Sequence, residues 1–168
     1  MVQDAAPAPP VRWLSVSEQH TWRVWMESAR LVLESLDRQL AQDAGLPHAY
    51  YEILVRLSEA PGRALRMSQL AEGASVSRSR LSHAVSRLEE KGWIRRETCA
   101  SDKRGAIAVL TDEGFAVLAA AAPGHVEAVR RSLFDPLTPE QVKQLDEIGS
   151  RLLAGLGETS PDGCPEGD

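Results

Sequence analysis

Basic side chains cluster in the middle of this 168-residue chain, where they could bind phosphate groups. The segment 62–104 contains ten lysines and arginines against five acidic residues, which gives it a charge of +5. The whole chain has 24 acidic and 19 basic residues and a formal charge of −5, so the remainder carries −10. Such an asymmetry predicts a nucleic-acid-binding patch carried by an acidic scaffold.

Hydroxyl and basic residues within this segment follow a pattern typical of a helix that enters a DNA groove. Ser77 predicts the N-cap of a helix that runs to about Lys91 and ends at Gly92. One face of this helix is apolar, and the other is small, polar and basic. Backbone N–H groups and hydroxyls at such a helix end can hold phosphates while longer side chains reach base edges. The candidate DNA-binding residues here are Ser77, Arg78, Ser79, Arg80, His83 and Arg87.

A shorter helix precedes this one, and the pair predicts a helix-turn-helix. Ser68 is the expected N-cap of the first helix and a further candidate DNA contact. The residues from Gly73 to Val76 predict the turn between the two helices.

Two strands, Trp93 to Thr98 and Ala106 to Leu110, predict a β-hairpin after the second helix. The seven-residue loop expected between them contains Lys103 and Arg104, and it is long enough to reach an adjacent minor groove. The negative potential of that groove attracts arginine. Asp102 is expected to pair with Arg104 and so to set the angle of the loop.

Arg95 and Arg96 are neighbours on the first of these strands. Successive side chains of a strand point to opposite faces, so only one of the two can face DNA. At least one of them is therefore expected to be a solvated charge.

Amphipathic helices flank the basic segment. Apolar residues recur at helical spacing from Ser17 to about Ala41, and again after Thr111. Thr138-Pro139-Glu140-Gln141 is a capping box that starts the last helix. The central segment is too small to cover both apolar stripes, so we expect a two-fold homodimer.

The predicted fold class is mainly α with a small β-hairpin wing (α+β). It combines a winged helix-turn-helix domain with N- and C-terminal dimerisation helices. The expected segments are a disordered tail (1–16), N-terminal helices (17–60), a DNA-binding domain (61–111), C-terminal helices (112–156) and a disordered acidic tail (157–168).

Five short motifs follow one another between Met67 and Gly114: Met67-Ser68-Gln69-Leu70-Ala71, Ser77-Arg78-Ser79, Leu88-Glu89-Glu90-Lys91-Gly92-Trp93-Ile94, Asp102-x-Arg104 and Leu110-Thr111-x-x-Gly114. In this order and spacing they resemble the winged helix-turn-helix of the MarR family of bacterial transcription regulators. The resemblance spans about Glu18 to Leu156. The resemblance implies a homodimer on palindromic double-stranded DNA. A recognition helix would enter the major groove, and the wing residues Lys103 and Arg104 the minor groove. One departure is Ala108, where the family usually has a larger β-branched residue, which puts the packing of the wing base in question.

The same resemblance implies a repressor that releases DNA when a small, often aromatic, effector binds between the dimer helices and the DNA-binding lobe. Trp22, Trp25, Tyr50 and Tyr51 are the candidate ligand-binding residues. The alternative for each of these rings is packing in the core or in the interface.

Two further functions are weighed as alternatives. Cys99 begins the expected wing loop, where oxidation could disturb DNA binding, although thiol sensors of the family typically carry their cysteine near the first helix. Cys164 lies in an acidic tail that does not favour a thiolate. A protein-binding winged helix without DNA affinity is the other alternative, and the one-sided basic charge argues against it.

An enzyme is not expected, because the chain has no Gly-rich phosphate loop, nucleophile elbow or zinc-protease helix. No cofactor is expected either. His48 and Glu52 could share a helix face, but two ligands do not make a metal site. The N-terminal segment does not resemble a signal peptide, and no stretch approaches the roughly 18 apolar residues that cross a bilayer. With two cysteines outside any motif, a cytoplasmic protein is expected.

Overall fold

The computed structural model describes residues 10–72, 78–99 and 102–157. Within them the elements are α1 (Val16–Ala44), α2 (His48–Glu59), β1 (Ala64–Arg66), α3 (Met67–Glu72), α4 (Arg78–Glu90), β2 (Ile94–Cys99), β3 (Asp102–Leu110), α5 (Asp112–Val129) and α6 (Pro139–Gly155). The predicted fold class, mainly helical with a small antiparallel sheet, is confirmed. None of the described helices is long and apolar enough to span a membrane.

The chain divides into two compact units, Met1–Glu34 and Ser35–Asp168. In the first unit Ser15 and Glu18 cap the start of α1: the Glu18 carboxylate accepts the Ser15 N–H at 2.7 Å, and the Ser15 hydroxyl accepts the Glu18 N–H at 3.2 Å. The rings of Trp22 and Trp25 lie 5.7 Å apart and are about half exposed. This part of α1 therefore presents apolar surface to solvent.

The hydrophobic core of the second unit contains residues of the C-terminal part of α1, of α2, α3, α4 and α5, and of the sheet. Fully buried leucines contributed by the helices are Leu40, Leu54, Leu57, Leu70, Leu81 and Leu88. Three glycines that follow helices have left-handed backbone, with φ +60° at Gly45, +64° at Gly62 and +75° at Gly92. Because L side chains avoid this region, glycine is the residue that fits these positions.

The helix α3 begins two residues earlier than the sequence predicts. The expectation that Ser68 caps α3 is wrong, because Met67 is already helical and Ser68 lies inside the first turn. The side-chain oxygen of Gln69 instead accepts the backbone N–H of Arg66 at 3.0 Å. This contact is half of a capping box, supplied from the third helical residue.

Three strands form an antiparallel sheet in the order β1-β3-β2. The predicted seven-residue wing loop is wrong, because β3 already begins at Asp102, which pairs with Cys99. The register shifts between this pair and the next one, Thr98 with Ala106, so residues 103–105 fall between the two pairs. Such an irregularity absorbs extra residues on one strand and lets the pairing continue.

Ala108 is fully buried and lies in register between Leu65 on β1 and Arg96 on β2. The small side chain therefore does not leave the base of the wing open.

His48 and His125 form a small cluster with Tyr51 in the second unit. The two imidazole centroids are 5.7 Å apart, and the Tyr51 ring lies 4.4 Å from that of His125. The Nδ1 atom of His125 is buried and has no hydrogen-bond partner among the described residues. Burial, and secondly the neighbouring His48, lowers the pKa of His125 from its ordinary value of 6.5.

This cluster predicts a loss of stability at acid pH. Because the pKa of His125 is lower in the folded chain, the unfolded chain binds more protons near pH 6, and stability falls as the pH drops through 6.5. We expect the melting temperature of the wild type to fall between pH 7.5 and pH 5.5, and that of His125→Gln to fall less. Both are measured by circular dichroism. His83→Gln, at an exposed position on α4, is the control. Identical pH profiles for the wild type and His125→Gln would exclude this role.

Candidate nucleic-acid interface

The helix α4 has the two faces that its sequence predicts. Leu81, Val85 and Leu88 are buried against the core, with at most 1% of each side chain exposed. The predicted site residues Ser79, Arg80, His83 and Arg87 are exposed. A buried apolar face fixes this helix on the domain and leaves a polar, basic face for a ligand.

Arg87 is held near the C-terminal end of α4 by Glu90. The guanidinium Nη1 lies 2.8 Å from a Glu90 carboxylate oxygen, and this hydrogen bond raises the pKa of Arg87. Both side chains are mainly exposed, and such pairs contribute little to stability. Arg87 can therefore leave Glu90 and bind a phosphate with only a small loss of free energy.

The first helix of the motif, α3, is anchored to α2 by Arg56. The Arg56 guanidinium donates to the backbone carbonyls of Leu70 at 2.6 Å and Gln69 at 3.1 Å. These carbonyls lie at the end of α3, where no further helical turn supplies donors. Arg56 thus holds α3 on the body of the domain, with Ser68 exposed at its start.

Arg95 and Arg96 point to opposite faces of the sheet. Arg95 pairs with Glu97, two residues along the same strand, at 2.8 Å, and is mainly exposed. Arg96 turns toward α4, where its guanidinium donates to the carbonyl of Ser82 at 3.2 Å and to the hydroxyl of Ser86 at 2.8 Å. The alternation is as predicted, whereas the contact between Arg96 and α4 has no signal in the sequence.

Thr111 connects the turn after α4 to the start of α5 through hydrogen bonds. Its hydroxyl donates to the carbonyl of Gly92 at 2.7 Å and accepts the N–H of Gly114 at 3.0 Å. Its backbone N–H donates to the carbonyl of Trp93 at 3.1 Å. Thr111 is therefore the N-cap of α5, and its contacts with Gly92 and Trp93 also tie the start of α5 to the turn before β2.

Several predicted site residues fall outside the described residues. This applies to Ser77, to Cys164, and to the side chains of Arg78, Cys99, Asp102, Lys103 and Arg104. The backbone of β3 does place Lys103 and Arg104 beside the β2–β3 connection. The pairing of Asp102 with Arg104 stays a prediction.

The four candidate ligand-binding residues belong to different units of the chain. Trp22 and Trp25 lie in the first unit, whereas Tyr50 and Tyr51 lie in the second. Tyr51 is buried against His125, and Tyr50 is half-buried. A role for these rings in binding an effector stays a prediction.

A cavity of about 390 Å³ opens between α3, α4 and the sheet. Its lining residues are Met67, Ser68, Ala71, Leu81, Ser82, Arg96 and Ala106. It is therefore mainly apolar, with two hydroxyls and one guanidinium. Among the residues that the structure describes, no group of three side chains could hold a metal ion, although His48 and Glu52 do approach to 3.8 Å.

Comparisons with known proteins agree with this geometry. Residues 44–105 match a model of the MarR family. Sco3205 of Streptomyces coelicolor, a MarR family transcriptional regulator solved in complex with DNA, is 57% identical, with a TM-score of 0.82 over 89% of this chain and 96% of that chain. AbsC, a second MarR family regulator from the same organism, is 44% identical, with a TM-score of 0.81 over 87% and 98%.

Curated relatives are more distant. The transcriptional regulator PecS of Dickeya dadantii is 33% identical over 89 residues, so that the match spans about half of each chain (53%). The transcriptional repressor MprA of Escherichia coli is 25% identical over 141 residues, which covers 84% of this chain and 79% of MprA.

Proposed function

This chain belongs to the MarR family of transcriptional regulators, and from that premise we propose that it is a homodimeric repressor that binds palindromic DNA and is released by a small ligand. Transcriptional regulators of this family are not enzymes, which agrees with the prediction from the sequence. The observation that supports the DNA-binding role is the exposed polar and basic face of α4. Three buried residues on the opposite face pack this helix against the core. Sco3205, which shares 57% of its sequence, was solved in complex with DNA.

In this proposal α4 is the recognition helix and enters the major groove, where hydroxyls and guanidinium groups can bind base edges and phosphates. The residues assigned to this contact are Ser68, Ser77, Arg78, Ser79, Arg80, His83 and Arg87. Lys103 and Arg104 on the wing reach the adjacent minor groove, and Asp102 orients Arg104. The two recognition helices of a dimer would read half-sites about 34–36 Å apart.

Exposed apolar surface on α6 supports the homodimer. Leu145, Ile148 and Leu152 follow at helical spacing and are 38%, 56% and 50% exposed. The helix has no buried residue, although it is amphipathic. A second copy that covers this stripe would remove it from water, which is the main driving force for association.

Repression and effector binding rest on two separate observations. MprA and the relative YetL of Bacillus subtilis are both named repressors. The cavity beside α4 has mainly apolar walls, which suit a small apolar or aromatic ligand. Such a ligand releases DNA only if it binds the DNA-bound and free conformations unequally.

The DNA-binding role is tested on the duplex that the full chain enriches from a random library. Replacing Arg80 and Arg87 together with alanine is expected to weaken binding and to reduce the slope of log Kd against log salt by about 0.9 for each phosphate that the variant no longer neutralises. The control is Arg130→Ala with Arg131→Ala, which removes the same charge from the π-helical segment Arg130–Phe134 that follows α5. Failure to enrich any duplex, or an unchanged slope in the Arg80/Arg87 variant, would refute the assignment.

A further inference from the structure

Arg96 joins the first wing strand to the recognition helix. Its Nη2 atom donates to the Ser82 carbonyl at 3.2 Å and to the Ser86 hydroxyl at 2.8 Å. Its Nε lies 3.4 Å from one carboxylate oxygen of Glu89, and its backbone N–H donates to the other at 3.2 Å. One residue of β2 therefore contacts α4 at three positions.

The three positions lie along one edge of α4, spaced by four and by three residues. The Ser86 hydroxyl also donates to the Ser82 carbonyl at 3.0 Å, so that the two acceptors of Arg96 are fixed to each other. Glu89 balances the charge of Arg96, and each of the hydrogen bonds that Arg96 makes with α4 has a charged partner, which makes it stronger than a neutral one. The planar guanidinium thus fixes the position of α4 and also prevents α4 from rotating about the helix axis.

Arg96 also stands on the face of the sheet where a hydrophobic residue is expected. Ile94, two residues earlier on the same face, is 2% exposed, and the cross-strand partner Ala108 is fully buried. About a third of the Arg96 side chain is exposed, and the rest lies against α4, where a charge costs free energy unless it is paired and hydrogen-bonded. The contacts with α4 supply this compensation, whereas Arg95 on the opposite face makes none of those contacts.

We propose that Arg96 is a positioning residue for DNA recognition, which fixes the recognition helix relative to the wing so that both are presented to DNA in one register. The proposal rests on the proposed DNA-binding function. Sequence-specific contacts need this geometry, whereas nonspecific attraction to phosphates tolerates its loss. Removing Arg96 therefore acts on the ratio between specific and nonspecific affinity.

The test compares two duplexes of equal length: the one that the wild-type chain enriches from a random library, and a shuffled version of it. Arg96→Ala is expected to bind the enriched duplex about tenfold more weakly, with unchanged affinity for the shuffled duplex and an unchanged salt slope. Arg96→Lys is expected to behave similarly, because an ammonium lacks the planar fork. Arg95→Ala, which removes the same charge from the neighbouring residue, is expected to keep the wild-type ratio.

A phosphate contact gives a different result and would overturn the proposal. In that case Arg96→Lys restores the affinity, and Arg96→Ala lowers the salt slope by about one. If Arg96→Ala does not fold, Ser86→Ala removes one acceptor and is expected to reduce the ratio less, with the same slope. If the variant that folds, Arg96→Ala or Ser86→Ala, keeps the wild-type ratio between specific and nonspecific affinity, the proposal is overturned. A wild-type chain that enriches no duplex overturns the proposed function as well.

Discussion

Gly114→Ala is expected to destabilise the chain by about 3 kcal/mol, the upper part of the range for overpacking a filled site. A Cβ built on Gly114 would overlap the carbonyl oxygen of Trp93 and lie 2.8 Å from Cδ1 of Leu110. Real Cβ atoms essentially never approach other atoms so closely. The neighbouring groups must therefore move to accept even one methyl group.

These groups are held too firmly to move cheaply. The Trp93 carbonyl accepts the N–H of Thr111 at 3.1 Å, and the preceding carbonyl of Gly92 accepts the Thr111 hydroxyl. The side chain of Leu110 is 4% exposed and belongs to the core. Relief of the overlap therefore displaces the turn that joins α4 to β2.

The effect is measured as the free energy of unfolding in urea, together with the melting temperature. Gly155→Ala is the control, because nothing lies within 4 Å of a Cβ at that position in α6. We expect its stability to stay within about 1 kcal/mol of the wild type, since alanine favours a helix over glycine by roughly this amount. Equal stability of Gly114→Ala and the wild type would mean that the turn after α4 adapts freely.

Local signals explain why so much of the fold could be predicted. The buried face of α4 follows from apolar residues at helical spacing, and Gly92 ends that helix with the left-handed backbone that its residue type favours. Thr138 and Gln141 form the predicted capping box, since the partners are only three residues apart. Each of these features depends on residues within one or two helical turns.

Features that depend on distant residues could not be predicted in the same way. β1 has three residues, too few for a pattern, and exists because it pairs with β3. The residues from Asp102 to Gly105 include no β-branched side chain and so predict a loop, yet they belong to β3, and Asp102 pairs with Cys99 on β2. The contacts of Arg96 carry no local signal, because its partners Ser86 and Glu89 come from another element.

The other large effect is expected from charges placed on the apolar stripe of α6. Ile148 and Leu152 are 56% and 50% exposed in the single chain, and the proposed dimer buries both. Ile148→Glu with Leu152→Glu would place two carboxylates in that interface, where burial of unpaired charge is costly. We expect this variant to be a folded monomer in light scattering, with a helical circular dichroism spectrum like that of the wild type.

A monomer can engage only one half of a palindromic site. Since the second half-site contact of a dimer is effectively intramolecular, its loss is expected to weaken binding by a factor of about 10² to 10⁴. Lys143→Glu changes the charge by the same two units at an exposed position on the opposite side of α6, and should leave both the dimer and the affinity unchanged. If the double variant stayed dimeric, the interface would lie elsewhere; if it became monomeric and kept full affinity, recognition would not need two half-sites.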